Sequence, residues 1–302
     1  MDIWKGKRLV TLLSYEIFQT ILEQGSFAKA AQVLHLTPSA ISHSISSMEE
    51  EIGFALFIRG KNGVKLSSAG EEINPYIQRI VAAEQNLKQA VSQMKGLGAG
   101  KVNIGTINSV CLVWIPDIIR TFGEEHPQIA VELYQGSYND VVEWVRNGTI
   151  DIGILSEAAS DGLPFIPLME DDLVAVVPKG YMPKETKVIT PEDLKGQPFV
   201  IQQDSCDIDI IKYLDEYNLQ VRANCHILDD QSAIAMVECK TGILLMPRLG
   251  LINPPDDVVI YPLYPRHYRK LGIACLSKDF LSPSARVMTQ HIKDYVAQFS
   301  EE

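Results

Sequence analysis

The chain opens on apolar positions at helical spacing, passes through a short alternating stretch, and returns to helical spacing in one long narrow stripe. After that, strand-like and helical runs succeed one another to the end. Phe27, Ala30, Ala31 and Leu34 fall at i, i+3, i+4 and i+7 behind Ser26, which predicts a short helix capped by that serine. Thr37 and Pro38 mark the next start, with Thr37 as cap and Pro38 tolerated in the first turn. Ile41, Ile45, Met48 and Ile52 then step by 4, 3 and 4, a second inward stripe that ends at Gly53. Two short helices joined by a tight turn form a helix-turn-helix. The run Phe54 to Arg59 reads as a strand, Lys61-Asn62-Gly63 as a turn and Val64-Lys65-Leu66 as a returning strand, so a β-ribbon wing follows the helices.

Ser68 and Glu71 stand as a capping box ahead of a helix that reaches Lys95. Ala69, Ile73, Tyr76, Ile80, Ala83, Leu87, Ala90 and Met94 step alternately by 4 and 3, a heptad seam that asks for a partner helix. Pro75 inside it removes one backbone hydrogen bond and predicts a kink or a soft first turn, and Gly96, Gly98 and Gly100 end it as a hinge. Beyond Lys101 the expected order is a strand at 102–105, a helix from Leu112 to Phe122, a strand at 129–134, a helix at 140–146 and a strand at 150–155. A second unit of the same kind repeats it, with strands at 199–201, near 226–227 and at 243–246, and helices at 209–217 and 232–240. The alternation implies a parallel sheet covered by helices. Segments near 171–177 and 269–277 would join the units, and a final helix capped at Ser282 would return to the first.

The stripe on the second short helix leaves Ser39, Ser42, His43, Ser46 and Ser47 on its free face. Hydroxyls and an imidazole there suit base edges and phosphate oxygens, whereas the bland reading is a polar face in water. Arg59, Lys61 and Lys65 on the wing would meet phosphates or the minor groove.

Four local patterns together carry a family resemblance: Phe18 eight residues before Ser26-Phe27, the Ala30-Ala31 pair, Pro38-Ser39-Ala40-Ile41-Ser42 with Glu49 and Gly53, and Leu56-Phe57 before Arg59 with Leu66-Ser67 and Ala69-Gly70 after it. Residues 12 to 70 thereby resemble the DNA-binding domain of the LysR-type transcriptional regulators, and length and element order are similar to that family throughout. The resemblance implies a mixed fold: an α-rich winged helix-turn-helix over 1–67, a linker and dimerisation helix over 68–97, and a bilobed α/β effector-binding domain over 98–302, similar to type 2 periplasmic binding proteins. Lobe I would take about 98–172 and 271–302, and lobe II about 173–270. The implied DNA contacts are Ser26, Thr37, Pro38, Ser39, Ser42, His43, Ser46, Arg59, Lys61 and Lys65, and the implied dimer contacts are Ile73, Tyr76, Ile80, Leu87 and Met94. Basic residues that the family usually carries near His43 and Ser46 are replaced here, which shifts phosphate binding toward the wing and the N-terminal segment. Double-stranded promoter DNA, RNA polymerase, a small-molecule effector and a second copy, with a homotetramer beyond it, are the partners that the resemblance implies.

In open α/β sheets ligands lie outside the carboxyl ends of the strands, and two such edges would face each other here. Asn108, Ser109, Gln202, Gln203 and Ser205 are carried over from the resemblance as effector contacts; Gln135, Ser137 and Asp229 lie at the same edges. Asp204, Asp207, Asp229 and Asp230 crowd one side, which favours a neutral or cationic effector.

Charge sharpens this picture. The net charge is −11, yet the first 65 residues carry 7 Lys and Arg against 6 Asp and Glu, leaving 20 against 32 for the rest, so DNA affinity must be local and helped by dimerisation. No run of about 18 apolar residues occurs, and the N-terminal apolar stretch has no cleavage site after it, so a chain in the cytoplasm, off the membrane, is expected, and the resemblance implies a bacterial one. Five scattered cysteines form no metal-ligand spacing; a thiol sensor in which Cys206 reacts, or bridges Cys225 or another cysteine, is the redox alternative. No catalytic motif occurs, so an enzyme is not expected, and neither cofactor nor metal is called for. A ligand-binding protein or enzyme with an appended helical domain is the remaining alternative.

Overall fold

The computed structural model describes residues 10–60, 63–95, 100–185, 187–202, 208–220, 222–227 and 229–299, with the backbone alone at Arg59, Gln93 and residues 222–226. It divides into two compact units, treated separately below.

The N-terminal unit contains α1 (Leu12–Gln24), α2 (Phe27–Val33), α3 (Pro38–Ile52), β1 (Phe57–Gly60), β2 (Gly63–Leu66) and the long α4 (Ser68–Met94). Ser26 caps α2 by accepting from Lys29 N, and Thr37 caps α3 by accepting from Ala40 N at 3.2 Å. Ile41, Ile45 and Met48 are buried with Phe18, Ala30 and Ala31 in one core. α3 stops at Gly53, whose φ of 89° is left-handed. The carboxylate of Glu49 then accepts from Leu56 N at 2.7 Å and Phe57 N at 3.2 Å, tying α3 to the start of the wing. Phe57 packs its ring on Phe18 at 4.8 Å and on Phe27 at 5.8 Å. The strand therefore begins at Phe57 rather than Phe54, because Leu56 and Phe57 are spent on the core and the Glu49 cap. Gly70 is required where α4 leaves the wing: a Cβ there would lie 2.2 Å from Leu56 O.

The cap of α4 is Ser67, not Ser68. Ser67 Oγ accepts from Gly70 N at 3.0 Å and its carbonyl from Glu71 N at 2.8 Å, so Ser68 is already the first helical residue. The helix is continuous through Pro75. Its seam splits in use. Ile73 is half-buried and packs with Ile77 and Val81 on the helix-turn-helix core, while Tyr76, Leu87 and Met94 are 63, 64 and 89% exposed and Ile80 is also exposed. Gln19 donates to Asn74 at 2.9 Å and Lys88 reaches Glu16 at 3.2 Å, fixing α4 against α1, while Glu84 on α4 itself meets Lys88 at 3.1 Å.

The C-terminal unit is built from β3 (Gly100–Thr106), α5 (Asn108–Val113), α6 (Ile115–Glu125), β4 (Ile129–Gln135), α7 (Tyr138–Asn147), β5 (Ile152–Ser156), β6 (Phe165–Pro178), α8 (Pro191–Leu194), β7 (Pro198–Gln202), α9 (Ile208–Glu216), β8 (Arg222–Ile227), α10 (Asp230–Glu238), β9 (Ile243–Pro247), β10 (Val258–Pro262), β11 (Tyr268–Ala274) and α11 (Pro283–Phe299). The single helix expected from Leu112 to Phe122 is two, broken at Trp114 with Pro116 opening the second. The sheet is mixed, not all parallel. β4-β3-β5 run parallel in lobe I and β9-β7-β8 in lobe II, but β11 is antiparallel to both β5 and β6, and β6 to β9 and β10. Antiparallel pairing follows from the joining segments being strands that cross from lobe to lobe. β6 pairs with β11 from Phe165 to Asp172 and with β9 from Leu173 onward, so one unbroken strand serves both lobes. α11 packs against β3 and α6 in lobe I, capped by Ser282, whose Oγ accepts from Ala285 N at 3.1 Å.

Candidate functional site: a recognition helix and an interlobe cleft

Opposite its buried stripe, α3 exposes Thr37, Pro38, Ser39, His43 and Ser46, with Ser42 and Ser47 half-buried. Ser47 Oγ lies 3.1 Å from His43 Nδ1 and Ser39 Oγ 3.0 Å from Thr37 Oγ1, which leaves imidazole and hydroxyl edges outward. Ser26 is half-buried at the head of α2. On the wing Lys65 is exposed and registers with Ile58; Arg59 is placed by its backbone on β1, and Lys61 lies outside the described residues.

In the C-terminal unit a cavity of about 370 Å³ opens between the lobes at the carboxyl ends of β3, β4 and β7 and the start of α10. Asn108, Ser109, Gln135, Ser137, Gln202 and Asp229 all line it; Gln203 and Ser205 lie outside the described residues. Asn108 is central. It accepts from Gln135 Nε2 at 2.8 Å and donates from Nδ2 to Asp230 Oδ2 at 2.9 Å, linking lobe I to lobe II. Gln202 Nε2 donates to the other oxygen of Asp230 at 2.5 Å. Ser137 N and Oγ both donate to Asp140 Oδ2, at 2.8 and 2.6 Å, and Asp229 caps α10 by accepting from Ser232 N at 2.8 Å. That backbone hydrogen bond pulls the Asp229 carboxyl below its ordinary value.

Sequence reasoning missed Arg269, which sits 3% exposed at the base of the cavity. Its Nε and Nη2 donate to Asp171 Oδ2 at 2.9 and 2.8 Å, Nη1 to Tyr138 Oη at 3.1 Å, and Nη2 to Ser109 Oγ at 2.7 Å. Burial works against the guanidinium charge, but Tyr138 and Asp171 outweigh it and hold Arg269 protonated. Asp171 Oδ1 in turn accepts from Leu249 N of lobe II at 2.9 Å. Nothing local marks these partners, because they lie 98 to 160 residues from Arg269 along the chain.

A second interlobe link runs through Asp209 of α9. Ser156 Oγ donates to Oδ1 at 3.1 Å and Tyr138 Oη to Oδ2 at 3.5 Å. Burial pushes the Asp209 carboxyl up, against the Ser156 hydrogen bond and the Arg269 charge. A carboxyl raised in the folded state helps folding below its ordinary value and loses that help as pH rises through the raised one. The urea midpoint of Asp209→Asn is therefore expected to exceed that of the wild type most at neutral pH, the gap closing as pH falls toward about 4; a gap that widens on acidification would contradict the burial argument.

The thiols of Cys111 and Cys275 are pushed up by burial, toward the unreactive protonated form. Cys206 lies outside the described residues, as does the side chain of Cys225. Among the described residues no group of three His, Cys, Asp or Glu side chains is placed to hold a metal, and no helix is long and apolar enough to cross a membrane.

The family model described as the bacterial regulatory helix-turn-helix protein, lysR family, matches residues 12–71, and that of the LysR substrate binding domain matches residues 95–297. The chain belongs to the LysR family. Among its relatives is the Bacillus subtilis HTH-type transcriptional regulator YvbU, 26% identical over 288 residues that cover 94% of this chain and 98% of the relative. Among solved structures, a full-length OxyR variant from Pseudomonas aeruginosa superposes with a TM-score of 0.74 at 19% identity, covering 95% of this chain and 94% of that one. Full-length CbnR complexed with its target DNA gives 0.63 at 17% identity, covering 95% and 100%. At these identities the two structures establish the fold alone, so the likeness to OxyR lends a thiol mechanism no weight. This LysR family member is a transcriptional regulator that joins a DNA-binding helix-turn-helix to a bilobed substrate-binding domain.

Proposed function

We propose that the regulator is a dimeric promoter switch in which residues 1–67 read DNA, 68–97 pair two protomers and 98–302 sense a small molecule in the interlobe cavity. The observation that carries the reading is the face of α3: Ser39, His43 and Ser46 stand exposed opposite Ile41, Ile45 and Met48, on a helix clamped to the wing through Glu49. Ser26, Thr37, Pro38 and Ser42 frame that face against the backbone, and Arg59, Lys61 and Lys65 approach phosphates from the wing. Ile80, Tyr76, Leu87 and Met94 make the seam between the paired helices. Asn108, Ser109, Gln135, Ser137, Gln202, Gln203, Ser205 and Asp229 surround the effector. A ligand that binds the closed and open lobes unequally shifts DNA affinity, and DNA shifts ligand affinity by the same factor. Assembly to a tetramer on the promoter and contact with RNA polymerase complete the proposal, and regulation rather than catalysis is the output.

Gel shifts on the chain's own promoter region test it. Lys65→Gln is expected to weaken binding to all duplexes alike and to reduce the salt slope by about 1, whereas His43→Ala is expected to change the preferred sequence at about 1–3 kcal/mol per altered base pair. Equal binding of promoter and unrelated duplex by the wild type would overturn the reading.

A further inference from the structure

Resting on the reading of the interlobe cavity as the effector site, we infer that the effector is a cation, a small molecule whose ammonium or guanidinium group pairs with Asp230. The charges on the cavity wall lead there. Arg269 is the one cation among the described lining residues, and it is already balanced by Asp171, with both side chains 4% exposed. Against it stand Asp140, Asp229 and Asp230. Asp230 is 6% exposed, and the groups that hydrogen-bond its carboxylate are the uncharged amides of Asn108 and Gln202; no described residue forms an ion pair with it. A cation brought to Asp230 gains Coulomb energy in a poorly solvated place, whereas a ligand carboxylate there would meet like charge.

The short α5 also begins at the cavity, with Asn108 and Ser109 on its wall and no side-chain cap, but the longer helix ends are closed to an anion. The helices of eight residues or more whose N-termini reach the cavity are α7 and α10, and a protein carboxylate already occupies each end. Asp140 takes Ser137 N and Oγ ahead of α7, and Asp229 takes Ser232 N at the start of α10. The positive ends of both helix dipoles are thus stopped from within. An ammonium offers three donors to Asp230 and displaces the Asn108 amide, which is the lobe I partner of that carboxylate. Ligand entry therefore exchanges a direct interlobe hydrogen bond for one through the ligand, and this exchange gives the ligand unequal affinity for the two lobe arrangements.

Isothermal titration of the full-length protein with agmatine, putrescine and L-arginine, beside succinate and shikimate, tests the inference. At least one of the first three is expected to bind and the two carboxylates are not. Asp230→Asn is expected to weaken the cationic probe by about 30-fold or more. Gln135→Glu, which adds charge at the exposed wall, is expected to tighten the same probe several-fold, a gain that a folding defect does not produce. Binding of succinate or shikimate more tightly than any cation, silence of all three cations, or Asp230→Asn binding as the wild type does would each overturn the inference. An anion bound in a way that the cavity variants alter sinks this assignment alone and leaves the effector cavity standing; binding that no cavity variant alters sinks the cavity as well.

Discussion

Leu87→Asp is expected to sediment as a single subunit and to lose about 10²- to 10⁴-fold in affinity for a two-half-site operator, the factor that joining two weak binders confers. Leu87 is 64% exposed on α4, in line with Tyr76 and Met94, so the aspartate costs little within the protomer and places two buried charges in the helix pair. The opposite side of α4 is untouched. Ile77 stays in the helix-turn-helix core and Gln19 keeps Asn74, so the DNA-reading head remains folded and binds a single half-site as the wild-type head does. Sedimentation velocity and gel shifts on one and two half-sites separate the two effects. A variant that remains dimeric, or a monomer that still grips the full operator, would remove the seam from the account.

Arg269→Ala is the second large effect, a loss of about 3–5 kcal/mol, because it strands a buried carboxylate. Asp171 would keep Leu249 N and lose both guanidinium donors, while Ser109 Oγ and Tyr138 Oη would each lose one. For a unit of this size the unfolding temperature should fall by roughly 10 °C. Removing both charges, Arg269→Met with Asp171→Leu, should recover much of the loss, since the penalty belongs to the unpaired ion rather than to the missing bridge. Urea unfolding of the single and double variants measures this; a double variant as unstable as the sum of its parts would mean that the pair contributes chiefly by shape.

The legible parts of this molecule were the local ones. Caps at Ser26 and Thr37, the stripe Ile41-Ile45-Met48 and the helix of α4 each span a few turns, and helical spacing states them outright. Misreadings by one residue or one break, Ser68 taken for Ser67 and the missed interruption at Trp114, come from caps and prolines whose exact partners depend on what the chain folds against. The antiparallel strands were hidden for a different reason. Direction in a sheet is set by where the chain returns, not by the side chains of β6 and β11, so neither strand states that it runs antiparallel to its neighbours. In the cavity, the family resemblance pointed to Asn108, Ser109 and Gln202, and the polar loops at the same strand edges to Gln135, Ser137 and Asp229. Arg269 and Asp171 escaped notice because a charged residue within a strand reads as a solvated edge until its distant counter-ion is known, and Tyr138 because an aromatic residue opening a helix reads as core.

The unbroken run of β6 from Phe165 to Pro178 limits what the two lobes can do. A β-strand has no slack along its length, so lobes sharing one can tilt about the point where its neighbour changes, between Asp172 and Leu173, but cannot slide past each other. Whatever the bound molecule says to the rest of the protein is then spoken as an angle, with the stiffness of a single extended backbone setting its loudness.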